Sequence, residues 1–520
     1  MSGGEILIII IFYFLLLLVI AYFTSRNSDN QTFFIGNKRS PWYLVAFGMI
    51  GASMSGVTFM SIPGKVGIDQ FSYMQIVFGY MLGYLVIALI LLPIYYKLNL
   101  ISIYKYLEQR FGIFSYKTGA FYFILSKIVG AGFRLFLVAS VLQLFVFSTW
   151  DIPFWVTVAI TLGFILLYTF RGGIKTIVWT DTLQTFFMLT ALIMTVYLIS
   201  SDLKLSFSGL VTSISGSDYS KIFVMDWNSD KFFLKHFIGG ALIAMTMTGL
   251  DQDMMQKNLS IRNLKESQRN IYSQMGMYIV FNLIFLSLGA LLYMYALNQY
   301  EVMTAGLETL PDASVYPNKA LMFLADEKGL SDYTGNKGNF RSDFLFPLLA
   351  IKYLGPVVAI TFVIGLIAAA YSSADSALTA LTTSFCVDFL NFKKGEESVN
   401  IRYMVHFLFT FVMFITILLF NLDKSGAVID KIFTAAGYTY GPLLGLFAFG
   451  IFTKLKVRDI LVPVICIIAP LVIYLIKANE KMLFGNYVIG FELLLYNGLL
   501  TFLGLLLIST GKRSQVSETS

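Results

Sequence analysis

The chain has 520 residues, of which 57% are hydrophobic and only 13% charged, with a net charge of +7. Soluble domains carry about 25% charged residues, so an apolar excess of this size, with a mean hydropathy of +0.75, belongs in lipid. The basic excess is spread over short connections without a cluster, which speaks for membrane topology and against nucleic acid as a partner. Two cysteines, Cys386 and Cys466, and two distant histidines, His236 and His406, form no pattern of a disulfide framework, a zinc site or a His-based catalytic centre.

Apolar segments fall at 5–23, 41–62, 71–96, 118–147, 152–169, 175–200, 235–254, 271–297, 356–386, 403–421, 428–453, 457–476 and 490–509. Each approximates the roughly 20 residues a bilayer requires. The expected class is an all-α integral membrane protein of about 13 transmembrane helices. The first segment reads as a retained helix: Glu5 precedes it, there is no basic leader, and no small-residue cleavage motif follows. Basic residues alternate between the connections. Arg26, Lys38, Arg39, Lys97, Lys105, Arg110, Lys117, Arg171, Lys175, Lys257, Arg262, Lys265, Arg269, Lys393, Lys394, Arg402, Lys454, Lys456, Arg458, Lys512 and Arg513 all fall on one side. The positive-inside rule then places the N-terminus outside and the C-terminus in the cytoplasm, as in a multi-pass protein of a bacterial inner membrane.

The expected organisation is an extra helix and loop over 1–40, a five-helix block over 41–200, a second over 235–453, and two helices with a polar tail over 454–520. The long external loop 298–355 contains Phe344–Leu354, apolar but too short to span, which reads as a cap or re-entrant helix. The tail Gly511–Ser520 is polar and is expected to be disordered. No appended soluble domain is visible, which argues against a fused sensor or kinase, and no obligate protein partner is indicated.

Two spans are poor helices. The second contains Gly48, Gly51 and Gly56 with Ser53, Ser55 and Thr58. The seventh places Thr246 and Thr248 among Gly239, Gly240 and Gly249. Glycine disfavours a helix interior, and unwound backbone is tolerated in a membrane only where it is buried in protein or lines a cavity. Each break falls in the first helix of a five-helix block, the pattern of an inverted-repeat transporter with a midplane site. Close packing of small residues is the competing explanation. In the ninth span, Ala369, Ser372, Ser373 and Ser376 share one helical face, with Asp375 at its edge. Hydroxyl, carbonyl and carboxylate oxygens in that arrangement suit a hard monovalent cation, since magnesium demands stricter octahedral geometry. Hydrogen bonding between helices is the alternative use of the same serines.

Four pieces of the chain resemble the sodium:solute symporter family. They are Arg171-Gly172-Gly173-Ile174 with Val178-Trp179-Thr180-Asp181-Thr182-Leu183-Gln184, the segment Ala369–Ser376, Asp251-Gln252-Asp253-Met254-Met255-Gln256-Lys257, and Gly441-Pro442-Leu443-Leu444-Gly445. The resemblance implies a LeuT-type 5+5 inverted repeat core with flanking helices, working by alternating access with Na+ as the coupling ion. It implies a sodium site at the carbonyls of Gly51 and Met54 with Ala369, Ser372 and Ser373. It implies a second cation site in some members, here at Asp181, Asp375 and Ser376, with Asp375 standing where those members have a neutral ligand. Sugar carriers of the family place an aromatic gate in the second broken helix, and Ala244–Gly249 has no aromatic ring. The stretch Thr58–Pro63 looks more like the sialic acid carriers, in which an arginine comparable to Arg134 grips the substrate carboxylate.

Intramembrane charges are costly and therefore candidates for function. At 1.5 Å per residue, Lys127, Asp181 and Asp375 each lie roughly 13–16 Å into their spans. Lys127 is expected to neutralise one of the two aspartates. Arg134 lies roughly 10 Å deeper than Lys127, where no span contributes an acid, and so invites a carboxylate ligand. Ser53, Ser55, Thr58 and Gln75 would supply neutral hydrogen bonds. The expected function is sodium-driven import of a small organic solute bearing a carboxylate: a sialic acid, a monocarboxylate or an amino acid. The alternatives are a sugar with the same coupling, and proton coupling through Asp181 and Asp375. An enzyme is not expected, because HExxH, GxSxG and Cys/His pairs are missing.

Overall fold

The computed structural model describes residues 3–24, 33–34, 38–304, 342–392, 399–422 and 427–513, with backbone only at 170–172, 175, 299–304 and 512–513. The tail 514–520, the loop residues 305–341, and Arg26, Lys393 and Lys394 lie outside the described residues. Among the described residues, eight helices are long and apolar enough to cross a membrane: α1 (Gly3–Thr24), α4 (Tyr73–Lys97), α5 (Ile113–Phe145), α7 (Thr176–Asp202), α10 (Leu264–Asn298), α11 (Gly355–Phe389), α12 (Val399–Phe420) and α15 (Asp459–Ala478). Three more spans are bent pairs: α2 with α3 (Trp42–Ser53, Gly56–Asp69), α8 with α9 (Phe233–Gly249, Gln252–Leu259), and α13 with α14 (Val428–Thr439, Gly441–Phe452). The shorter apolar helices α6 (Phe154–Thr169) and α16 (Leu493–Leu507) bring the described segments to thirteen.

Burial separates centre from periphery. In α11, 78% of the most apolar stretch is buried, against 28% in α12 and 22% in α15. A helix apolar all round and largely uncovered, such as α15 with Ile467, Ile468 and Leu471 exposed, faces lipid. Every residue from Gly365 to Ser384 of α11 is buried. Its run Ala368-Ala369-Ala370 and the serines beyond it let α2 and α7 approach closely, since small residues bring helix backbones together.

The Arg171-Gly172-Gly173 motif makes the corner between α6 and α7. Gly173 has φ +56°, in the left-handed region, and a Cβ there would lie 2.5 Å from the Phe33 backbone. Only glycine meets both demands. Between α10 and α11, Ser342–Tyr353 forms a short helical turn whose Phe344–Ala350 is fully buried, and Val428 N donates to Asp343 Oδ2. Beyond α14, a two-stranded antiparallel ribbon pairs β1 (Leu455–Val457) with β2 (Ser509–Arg513).

The seventh span runs further than its apolar stretch. All eight residues of α9 are buried although its sequence is polar. Lys257, which sequence groups with the charges of a connection, is therefore an interior residue, 1% exposed.

Candidate functional site

The second span breaks where its glycines and hydroxyls concentrate. Met54 (φ −84°, ψ 69°) and Ser55 (φ −65°, ψ 176°) leave the helical region, and α2 and α3 meet at 55°. The last carbonyls of any helix lack intrahelical donors. Here they face α11: Ser373 Oγ donates to the Ala52 carbonyl at 3.3 Å and, on its own helix, to the Ala369 carbonyl at 3.3 Å. Gly51, Met54, Ala369, Ser372 and Ser373 are all buried around this junction. The set is all-oxygen and offers carbonyls and hydroxyls, donors that suit a hard cation.

The seventh span breaks two residues beyond Thr248. A π-helical turn over Met245–Gly249 is followed by Asp251 in extended conformation (φ −105°, ψ 121°), and α8 and α9 meet at 61°. Asp251 caps α9, accepting from Asp253 N at 2.9 Å and Met254 N at 3.3 Å, the reason an acid terminates the break. The eleventh span also bends, by 47° at Tyr440–Gly441, a break that sequence alone shows only as Gly-Pro. The Tyr440 hydroxyl donates to Asp251 Oδ2 at 2.5 Å, tying the two breaks together.

The buried charges do not pair as their depths imply. Lys127 meets neither Asp181 nor Asp375. Its Nζ lies 2.6 Å from Asp253 Oδ2 and 3.3 Å from Asp251 Oδ1. The physical reason is the extra length of the seventh span, which carries both acids into the bundle. Asp181 instead receives Lys257 Nζ at 2.7 Å and Ser372 Oγ at 2.6 Å. Asp375 accepts from Tyr168 Oη at 2.9 Å and from Ser376 N at 2.6 Å, while the Ser376 hydroxyl has no hydrogen-bond partner among the described residues. The expected trio of Asp181, Asp375 and Ser376 is thus divided between two surroundings.

A cavity of about 80 Å³ adjoins the first break. Ser53, Ser55, Thr58 and Arg134 line it, opposite a group of tyrosines. Tyr84 and Tyr278 stack at 5.4 Å, and the Tyr73 and Tyr80 hydroxyls lie 3.2 Å apart. Among the described residues no ion pair or hydrogen bond engages the Arg134 guanidinium, because nearby Asp251 and Asp253 are taken by Lys127. A smaller space lined by Lys127, Asp251 and Tyr440 continues beyond Arg134. On the opposite side a vestibule of about 450 Å³ is rimmed by Lys65, which lies 2.6 Å from Asp430 and 2.7 Å from Asp69.

Gln75 does not reach the cavity. Its amide nitrogen contacts the Ser72 and Lys231 carbonyls and His236 Nδ1, at 3.2, 3.1 and 3.2 Å, and its oxygen accepts from Val224 N. Its hydrogen-bonding capacity is spent on packing. His406 is likewise engaged by the hydroxyls of Thr169 and Thr382. The tyrosine wall and Tyr440 carried no functional signal in the sequence, and Asp251 and Asp253 entered it only within a stretch that resembles the family, without a role of their own. The polar stretch 251–257 adjoining an apolar span was the available hint.

Two broken helices at equivalent places, packed against a small-residue helix beside a small cavity, are the architecture of a membrane carrier of the LeuT-like class. A model of the sodium:solute symporter family matches residues 33–458, and the chain belongs to that family; it is a multi-pass membrane protein for which Na+ is the coupling ion. The sodium/sialic acid symporter NanT of Aliivibrio fischeri is 23% identical over 494 residues, covering 92% of this chain and 89% of the relative. The sodium/sialic acid symporter SiaT of Proteus mirabilis is 24% identical, covering 83% and 81%. The human sodium-coupled monocarboxylate transporter 2 is 22% identical, covering 82% and 64%. A solved substrate-bound, outward-open Na+-coupled sialic acid symporter shares the fold, with a TM-score of 0.75 at 20% identity over 96% of this chain and 97% of that one.

Proposed function

We propose that this symporter imports a small carboxylate-bearing solute, and that Arg134 receives the carboxylate. The observation that carries the reading is a guanidinium in a cavity wall that no acid among the described residues engages, beside the hydroxyls of Ser53, Ser55 and Thr58. Arg134 is half-buried; a cation inside a membrane protein without a fixed partner is costly, and a planar guanidinium matches a carboxylate bidentately. The names of the relatives fit this reading: sialic acids and monocarboxylates both present a carboxylate.

Sodium would be held by the carbonyls of Gly51, Met54 and Ala369 and the hydroxyls of Ser372 and Ser373. These groups belong to two bodies, the end of α2 and the face of α11. Binding there favours the conformation in which the bodies are joined, which is how one ligand prepares the site for another. Solute then bridges Arg134 on α5 to the hydroxyls of the broken second span. Sodium release into a low-sodium cytoplasm loosens the junction and frees the solute. The distribution of basic residues supports an N-terminus outside, which puts the Lys65–Asp430 vestibule on the entry side.

Proteoliposomes with an imposed sodium gradient test the reading. Sialic acids, monocarboxylates, amino acids and neutral sugars are offered in turn. Accumulation of an acid, but not of its amide or of sugars, is the expected result. Sodium-driven uptake of a neutral sugar with equal efficiency would overturn the carboxylate assignment.

A further inference from the structure

The resemblance to carriers with a second cation site near Asp181 poses a question about charge. Both oxygens of Asp181 are already engaged. Oδ1 accepts from Ser372 Oγ at 2.6 Å, and Oδ2 is 2.7 Å from Lys257 Nζ. Lys257 and Asp181 are each 1% exposed. Lys257 also lies 3.9 Å from Asp253 Oδ1, so its ammonium is flanked by two carboxylates. Asp375, the other acid of the expected site, is turned to Tyr168 and its own following amide, and the Ser376 hydroxyl bonds to neither acid. The donor set is therefore that of an ammonium ion and not of a second sodium.

We propose that the Lys257 ammonium is a tethered second cation, so that the carrier binds one sodium, at the Gly51–Ser373 junction. A charge fixed to α9 cannot diffuse away when the site opens. All eight residues of that helix are buried, so the ammonium is held against Asp181 by packing as well as by Coulomb attraction. A sodium ion entering beside it would meet a like charge in a low-dielectric interior. Removing Lys257 leaves Asp181 uncompensated, and a buried carboxylate without a countercharge is neutralised by a proton or by a bound cation, so at alkaline pH sodium takes the place of the ammonium. The proposal rests on the sodium coupling of the family. It does not depend on the nature of the solute. If the solute is a monocarboxylate, one sodium per anion makes the cycle electroneutral.

Equilibrium binding of radioactive sodium to the purified full-length carrier in nanodiscs, without solute, tests this directly. Wild type is expected to bind one ion per chain with a Hill coefficient of 1. At alkaline pH Lys257→Met is expected to bind two, with the Hill coefficient rising towards 2. Two ions bound by wild type, or one ion bound by a folded Lys257→Met, overturns the proposal. Should Lys257→Met fail to fold, Asp181→Asn/Lys257→Met removes both charges at once. That double variant is expected to bind one sodium, and loss of all sodium binding would make Asp181 a ligand of the single ion and overturn the idea. Voltage measurement during solute uptake is a separate readout. Electrogenic uptake with one bound sodium sinks the anionic-solute reading and leaves the tethered cation standing.

Discussion

The Ser373 hydroxyl on α11 reaches the Ala52 carbonyl at the end of α2, 3.3 Å away, and is a direct polar link across the junction assigned to sodium. It joins a helix that is buried from Gly365 to Ser384 to one that stops at Ser53. Ser373→Ala removes an oxygen from the junction while changing volume little. Hydrogen bonds to charged groups contribute about 1.5–3 kcal/mol, so sodium affinity should fall roughly tenfold to a hundredfold. Fold stability without sodium should fall by only about 1 kcal/mol. Sodium titrations of thermal stability and of uptake check this, with potassium as the control. An unchanged sodium dependence would remove Ser373 from the site.

The two breaks could be read in the sequence because glycines and hydroxyls in an apolar span contradict a helix interior. The helical face at Ala369–Ser376 was legible by spacing alone. The pairing of the buried charges was not. Counting residues puts Lys127 at the depth of Asp181 and Asp375, but depth is one coordinate, and the azimuth around the bundle decides partners. The seventh span carries Asp251 and Asp253 to Lys127, and its Lys257 to Asp181, because α9 is buried despite its polarity. Gln75 failed for a related reason: being buried does not say which neighbours saturate an amide.

Arg134 should separate recognition from folding. Since no ion pair among the described residues engages it, Arg134→Ala leaves no carboxylate stranded, and thermal stability should be within about 1 kcal/mol of wild type. Uptake of a carboxylate solute should be lost. Arg134→Lys keeps the charge but not the planar fork, and should retain weak uptake with a raised KM. Uptake by Arg134→Ala at the wild-type rate would exclude the residue from solute binding.

Lys127 should behave in the opposite way. Its ammonium lies 2.6 Å from Asp253 and 3.3 Å from Asp251, with all three residues almost fully buried. Removing one partner of such a pair costs about 3–5 kcal/mol, because a charge is left alone in low dielectric. Lys127→Met is therefore expected to unfold at a markedly lower temperature. Adding Asp253→Asn should restore part of the loss, and the double-mutant cycle should give a coupling well above about 0.5 kcal/mol. Additive effects of the two substitutions would show that the contact contributes no coupling.

Gly51 and Gly276 make a contrasting pair for the same substitution. A Cβ on Gly51 would lie 2.1 Å from Thr185 Oγ1 and 3.2 Å from Thr185 Cα. The hydroxyl cannot swing away freely, because it donates to the Asp181 carbonyl at 2.7 Å. Gly51→Ala must push α2 from α7, at a cost of about 1–3 kcal/mol for overpacking. The displacement also moves the freed carbonyls relative to Ser373, so sodium affinity should fall along with stability. Gly276, inside α10, has nothing within 4 Å of the same added atom. Gly276→Ala should stabilise the helix by about 0.5–1 kcal/mol and leave sodium binding alone. Thermal unfolding with and without sodium distinguishes them: the sodium-induced rise in Tm should shrink in Gly51→Ala and persist in Gly276→Ala. Equal shifts in both variants would mean that the close approach of α2 to α7 has no part in forming the cation site.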